Sequence, residues 1–94
     1  MRIADFRNKD LERFWRRDEA RGVARQHEEK LRAMLTAVEE AENAADLATL
    51  PGWRLHPLKG DRKGVWSLTV TRNHRLTFRV TGSVVSEIDF EDYH

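Results

Sequence analysis

The sequence predicts an α+β fold in which two N-terminal helices cover one face of a predominantly antiparallel sheet. Apolar residues recur every three or four positions before Pro51-Gly52 and every second position after it. Helices grouped ahead of strands, rather than alternating with them, belong on one side of such a sheet. The 94 residues show no internal repeat, low-complexity tract or linker, so a single domain over 1–94 with one core is expected.

Residues 1–6 are read as a short first strand. Leu11, Phe14 and Trp15 then follow at i, i+3 and i+4, the spacing of one helix face. Asn8 or Asp10 is available as the cap of this helix, and Gly22 as its stop. A longer helix is predicted over about 24–44, with Leu31, Met34, Leu35, Val38, Ala41 and Ala45 on its apolar stripe. Glu28, Glu29, Lys30, Arg32, Glu39 and Glu40 occupy its other side, and His27, beside the stripe, reads as structural. Asp46–Leu50 adds a short turn before Pro51-Gly52 ends the helical half.

Beyond Gly52, Trp66, Leu68 and Val70 alternate with polar residues, as do Leu76, Phe78 and Val80, and Val84, Ser86, Ile88 and Phe90. These are three half-buried strands. Arg54–Leu58 is a further strand, held to an edge by Pro57. All the inward positions are even-numbered, so a hairpin that keeps them on one face needs an odd loop. Three-residue loops Arg72-Asn73-His74 and Thr81-Gly82-Ser83 satisfy this and set Val80 opposite Val84 and Leu76 opposite Ile88. On the polar face they set Arg79 opposite Val85, Thr77 opposite Glu87 and Arg75 opposite Asp89. Arg75 then reads equally as a cross-strand partner of Asp89 or as a functional cation. Arg79, with Glu87 on a diagonal, reads as structural. Arg54, Lys59, Arg62, Lys63 and Arg72 face no carboxylate in this register, and Asp92-Tyr93-His94 runs on beside Arg75 and His74.

Composition narrows the function. The 17 basic and 16 acidic side chains nearly cancel, but residues 51–80 carry seven basic groups against Asp61 alone. Such a block attracts polyanions whatever the total charge. The chain has no cysteine, hence no disulfide or thiolate metal cluster. It has no apolar run long enough for a membrane span and no apolar signal segment at Met1–Asp10, so a cytoplasmic protein without membrane contact is expected. A domain this small has little room for an internal cavity, which favours an open, solvated active face.

Metal and cofactor chemistry lack their signatures. His27, His56, His74 and His94 show no metal-binding spacing, no Ser sits in a nucleophile turn, and Gly60–Gly64 matches neither nucleotide-binding fingerprint. What remains is a set of acid, base and cationic groups: His56 and Lys59 around Pro57-Leu58, Arg75 on the polar sheet face, and Tyr93-His94. RNA cleavage without a metal needs a base for the 2′-OH, an acid for the leaving oxygen and a cation for the phosphorane. From the residues alone, an RNA-active face and an inert polar surface both remain open.

The run Leu55-His56-Pro57-Leu58-Lys59-Gly60-Asp61-Arg62-Lys63-Gly64, with Trp66-Ser67, Arg75-Leu76-Thr77-Phe78 and the terminal Asp89-Phe90-Glu91-Asp92-Tyr93-His94, closely resembles the HigB branch of the RelE-like toxins. Ile3-Ala4-Asp5-Phe6, Leu11 and Phe14 are similar as well. The resemblance implies the RelE-like, microbial-ribonuclease-like fold. It implies a ribosome-dependent mRNA endoribonuclease acting at the A site, and a HigA-type helix-turn-helix antitoxin through which alone DNA is met. Carried over by position, the catalytic set is His56, Lys59, Arg75, Asp92, Tyr93 and His94, with Arg62, Lys63, Arg72 and His74 on the RNA. His56 and His94 would exchange protons, Lys59 and Arg75 would stabilise charge, Asp92 would orient a neighbour, and Tyr93 would stack or share proton transfer. His74 departs from the family, where many members carry Trp. The competing reading is a non-catalytic, ParE-like toxin that inhibits a protein such as gyrase, since fold alone does not fix function.

Overall fold

The computed structural model describes residues 1–92. Its elements are β1 (Arg2–Ile3), α1 (Lys9–Arg17), α2 (Arg25–Glu40), β2 (His56–Pro57), β3 (Val65–Thr71), β4 (His74–Thr81) and β5 (Val84–Asp92), with 3₁₀ turns at Ala44–Thr49 and Gly60–Arg62. The five strands form one sheet in the order β1-β5-β4-β3-β2. β1 runs parallel to β5 and every other pairing is antiparallel. The predicted α+β architecture is the observed one. No helix among the described residues is long and apolar enough to cross a membrane.

Asn8 caps α1 by accepting the Leu11 N–H at 3.0 Å. The helix stops earlier than Gly22 suggested. Asp18 takes the left-handed conformation (φ 56°), and the Glu19 N–H reaches back to the Arg13 carbonyl at 3.2 Å. Gly22 lies in the following loop, where a Cβ would fall 2.1 Å from Asp10 Cγ, so close approach rather than helix termination requires glycine there. α2 also ends sooner, at Glu40, where Ala41 turns extended. Asn43 and Asp46 then form a capping box that starts the first 3₁₀ turn. As a result Ala44 and Leu47, not Ala45, face the core.

That core joins Leu11 and Phe14 of α1, and Leu31, Met34, Leu35 and Val38 of α2, to the even-numbered residues of β3 and β4. Both hairpin turns are one residue shorter than expected. Arg72-Asn73 and Gly82-Ser83 are two-residue turns, closed by Thr71–His74 and Thr81–Val84. Two-residue turns match the natural strand twist, and Gly82 supplies the positive φ (63°) that one of them needs. An even loop would turn the apolar set to solvent, so each hairpin corrects its parity with a register shift. In β3–β4 the shift falls between Thr69 and Thr71 and restores Leu68 opposite Leu76. In β4–β5 it falls at Glu87, whose φ of 54° marks the bulge.

The bulge rewrites the expected pairing. Val80 faces Val85, Arg79 faces Ser86, Thr77 faces Asp89, Leu76 faces Phe90 and Arg75 faces Glu91. Val85 and Ile88 are therefore both buried, although their numbers differ in parity, and Val84 is not. At the other edge, β2 is shorter than the predicted Arg54–Leu58, because Arg54 adopts a positive φ of 49°. Its pairing continues irregularly through Leu58 N–H to the Val65 carbonyl (2.9 Å) and Thr69 N–H to the Trp53 carbonyl (2.7 Å).

Phe14 is fully buried beneath both the second helix and the sheet. Phe14→Ala is expected to cost about 3–5 kcal/mol of folding stability, read as a lower urea midpoint at unchanged slope.

Candidate active site

Residues directly opposite in an antiparallel ladder share a face, so the sheet's outer side can be read as rows. One row runs His56, Ser67, Thr77, Asp89, and the next runs Thr69, Arg75, Glu91. Both rows point away from the helices. Between β2 and β4 they border a shallow cleft of about 330 Å³, whose walls include Arg54, His56, Ser67, Thr69 and Arg75. The structure thus brings together His56 and Arg75, two of the residues singled out from the sequence. His56 is solvent-exposed, while the Arg75 side chain is only 24% exposed.

Glu91 organises this face, and the sequence reading gave it no role. Its carboxylate accepts from Arg75 Nη2 at 3.1 Å, from Thr77 Oγ1 at 2.7 Å, and from both terminal nitrogens of Arg62 at 3.0 and 2.5 Å. Arg62, expected to lack a carboxylate, is therefore half of a bidentate pair, and Arg75 meets Glu91 rather than Asp89. The hydrogen bond from Arg62 leads the effects that hold the Glu91 carboxyl down to about 2, ahead of the opposing effect of burial. The usable signal was the Thr81-Gly82-Ser83-Val84 segment: read as a two-residue Gly-Ser turn, it moves the register toward Glu91. Arg79 donates to Glu87 at 2.8 Å, in line with its structural reading.

The remaining candidates lie elsewhere. His74 is the first residue of β4, not part of a loop, and its ring turns to the helix side. There it stacks on Phe90 (centroids 5.1 Å apart), lies 4.9 Å from the His27 ring, and hydrogen-bonds Thr71 Oγ1 through Nδ1 at 2.8 Å. Asp92 sits beside it, 3.9 Å from His74 Nε2. Lys59 and Lys63 line a separate groove next to Trp66, and Arg72 is exposed in the β3–β4 turn. Tyr93 and His94 lie outside the described residues. Among the described residues no three His, Cys, Asp or Glu side chains converge as a metal-ligand set.

Residues 4–94 match the family model of HigB, described as RelE-like toxins of type II toxin–antitoxin systems. The chain belongs to this family. Endoribonuclease HigB of Proteus vulgaris is 35% identical over 92 residues, which span 98% of this chain and 99% of that protein. Among solved structures, the YoeB/ParE toxin of Agrobacterium tumefaciens is 30% identical with a TM-score of 0.57, over 97% of this chain and 99% of that one. YafQ of E. coli, 18% identical with a TM-score of 0.61 over 98% and 93% of the two chains, shares the fold. The HigB-like resemblance read from the HPLKGDRKG run and the terminal EDYH is confirmed at this level.

Two groups of this HigB-like toxin tie its stability to pH. Glu91 has a depressed pKa, so its contribution is complete above its ordinary 4.5 and is lost as pH falls toward about 2. Glu91→Gln is expected to remove on the order of 2–3 kcal/mol at neutral pH and to flatten the acid limb of the unfolding curve below 4.5. His27 is lowered by burial and by the neighbouring His74, so the fold holds it neutral and loses stability as pH drops below 6.5. His27→Leu should remove that higher step and leave the Glu91 step in place, which urea unfolding at a series of pH values separates.

Proposed function

We propose that this HigB-like toxin is a ribosome-dependent endoribonuclease that cuts translated mRNA at the A site without a metal ion. The 2′-OH of the RNA attacks the adjacent phosphate and the 5′-oxygen leaves, giving 2′,3′-cyclic phosphate and 5′-OH ends. The observation that carries this reading is the shared cleft of His56 and Arg75 on the outer sheet face. An imidazole and a guanidinium lining one cleft supply a proton acceptor or donor and a charge stabiliser, the functions that RNA cleavage requires. The 35% identity to the endoribonuclease of Proteus vulgaris supports the same reaction class.

His56 and His94 exchange the two protons, and Arg75, oriented by Glu91, stabilises the phosphorane. Lys59 adds a flexible ammonium from the flank of β2. Asp92 orients the end of β5, and Tyr93 stacks on a base or shares proton transfer. The toxin acts in the cytoplasm and is silenced by a HigA-type helix-turn-helix antitoxin, which provides its only link to DNA.

The test is primer-extension mapping of mRNA ends in a reconstituted translation reaction. Wild type should give discrete in-frame cuts that need the ribosome and carry 2′,3′-cyclic phosphate and 5′-OH ends. His56→Ala, Arg75→Ala and His94→Ala should each slow cleavage by about 10²–10⁴-fold. Growth arrest by the wild type with mRNA left intact would instead assign the toxin a protein target such as a topoisomerase.

A further inference from the structure

The two-residue strand β2 is the free edge of the sheet and has a concavity on each side. His56 opens onto the cleft already described. Pro57, the next residue, faces the other way, opposite Trp66 in the ladder. At this end of the hairpin a groove of about 340 Å³ is lined by Pro57 and Trp66 of that face, by Leu58 and Val65 of the alternate face, and by Lys59 and Lys63. Among the described residues neither α-helix contributes to its walls. The indole of Trp66 is therefore half-buried against the core on one side and open to the groove on the other.

The charges on the two sides differ in kind. On the outer face Arg62, Arg75 and Arg79 are each held by Glu91 or Glu87. Lys59 and Lys63 are exposed, and among the described residues neither ammonium has an ion-pair partner. The uncommitted positive charge of the β2–β3 hairpin thus borders an apolar, aromatic-lined slot. An aromatic ring for a base with nearby cations for its phosphates is the arrangement by which proteins hold unpaired nucleic acid.

We propose that this groove is a second RNA subsite, one that takes the nucleotide of the substrate strand flanking the cut. Its base stacks on Trp66, its phosphates meet Lys63, and the strand passes Lys59 at the edge of β2 to reach His56. The inference rests on the endoribonuclease reading and extends it from one face of the hairpin to both. Among the described residues no strand pairs with β2 on its far side, which leaves that path open.

The test uses the full chain and a short single-stranded RNA with 2′-O-methyl riboses, which cannot be cleaved by 2′-OH attack. Affinity is followed by fluorescence anisotropy over a salt series. Trp66→Ala should weaken binding about tenfold, while Trp66→Phe, which keeps a ring, should retain most of it. Lys63→Ala should lower the salt slope by about one phosphate contact. Lys63 is exposed, so this variant tests the subsite even where Trp66→Ala unfolds. Unchanged affinity and slope in Lys63→Ala, together with unchanged affinity in any folded Trp66→Ala, would overturn the proposal. The same variants are run in the translation reaction. Wild-type cleavage with RNA affinity indifferent to these substitutions overturns the groove alone. Reduced affinity with no wild-type cleavage keeps the groove as an RNA site and overturns the endoribonuclease reading. Antitoxin binding lost in Lys63→Ala, with RNA affinity intact, gives the groove to the protein partner and overturns the proposal.

Discussion

A carboxylate shared by two arginines and a threonine decides how the outer face is arranged, and its position depends on one bulged residue. Glu87 takes a left-handed conformation that few non-glycine residues adopt. Around it, the Asp5 side chain accepts the Glu87 N–H at 2.7 Å, and Arg7 and Arg79 hold the Glu87 carboxylate at 3.1 and 2.8 Å. These contacts offset the local strain. Beyond the bulge, β5 is one residue out of step with its first half, which turns Ile88 inward and brings Glu91 beneath Arg75. Without the bulge, burial of Val85 would place Ile88 on the solvent side.

The Arg62–Glu91–Arg75 group is more than a neutral pair. Two guanidiniums share one largely buried carboxylate, so the group retains a positive charge while its parts are held in fixed geometry. Glu91 removes rotamer freedom from Arg75 before any ligand arrives, and preorganised charge is worth more than mobile charge at a site where anionic charge develops. Thr77, almost fully buried in the neighbouring row, completes the carboxylate's hydrogen bonding through its hydroxyl. The alternation of Thr and Arg along β4 thus serves the acidic strand beside it.

Most of the fold was legible because burial leaves a periodic trace. Leu11 and Phe14, the α2 stripe from Leu31 to Val38, and the apolar even-numbered residues of β3 and β4 face the core as their spacing implied. Element ends were less legible, since Asp18 and Ala41 stop helices by backbone geometry that their side chains do not announce. Register was the least legible. A two-residue turn plus a bulge and a three-residue turn preserve the same parity, yet they bring different carboxylates to Arg75. The same uncertainty put His74 in a loop, when it begins a strand and stacks on Phe90. Strand parity put Arg75 on the polar face and His56 at the end of an edge strand, whereas Glu91 looked like one acid among several in an acidic tail.

The parallel pairing of β1 with β5 also governs the order in which the molecule can form. Asp5 and Glu87 are bonded across 82 residues, and β5 lies between β1 and β4. A polypeptide emerging from its N-terminus can make both helices and the β2–β3–β4 meander early. β1 then has no neighbour, and the sheet-facing side chains of the helices are only partly covered, until β5 inserts. Closure of the sheet is thus a late, long-range event in vectorial folding. The strand that completes it also carries Glu91, so a growing chain holds Arg62 and Arg75 without their shared anion until its final segment is in place.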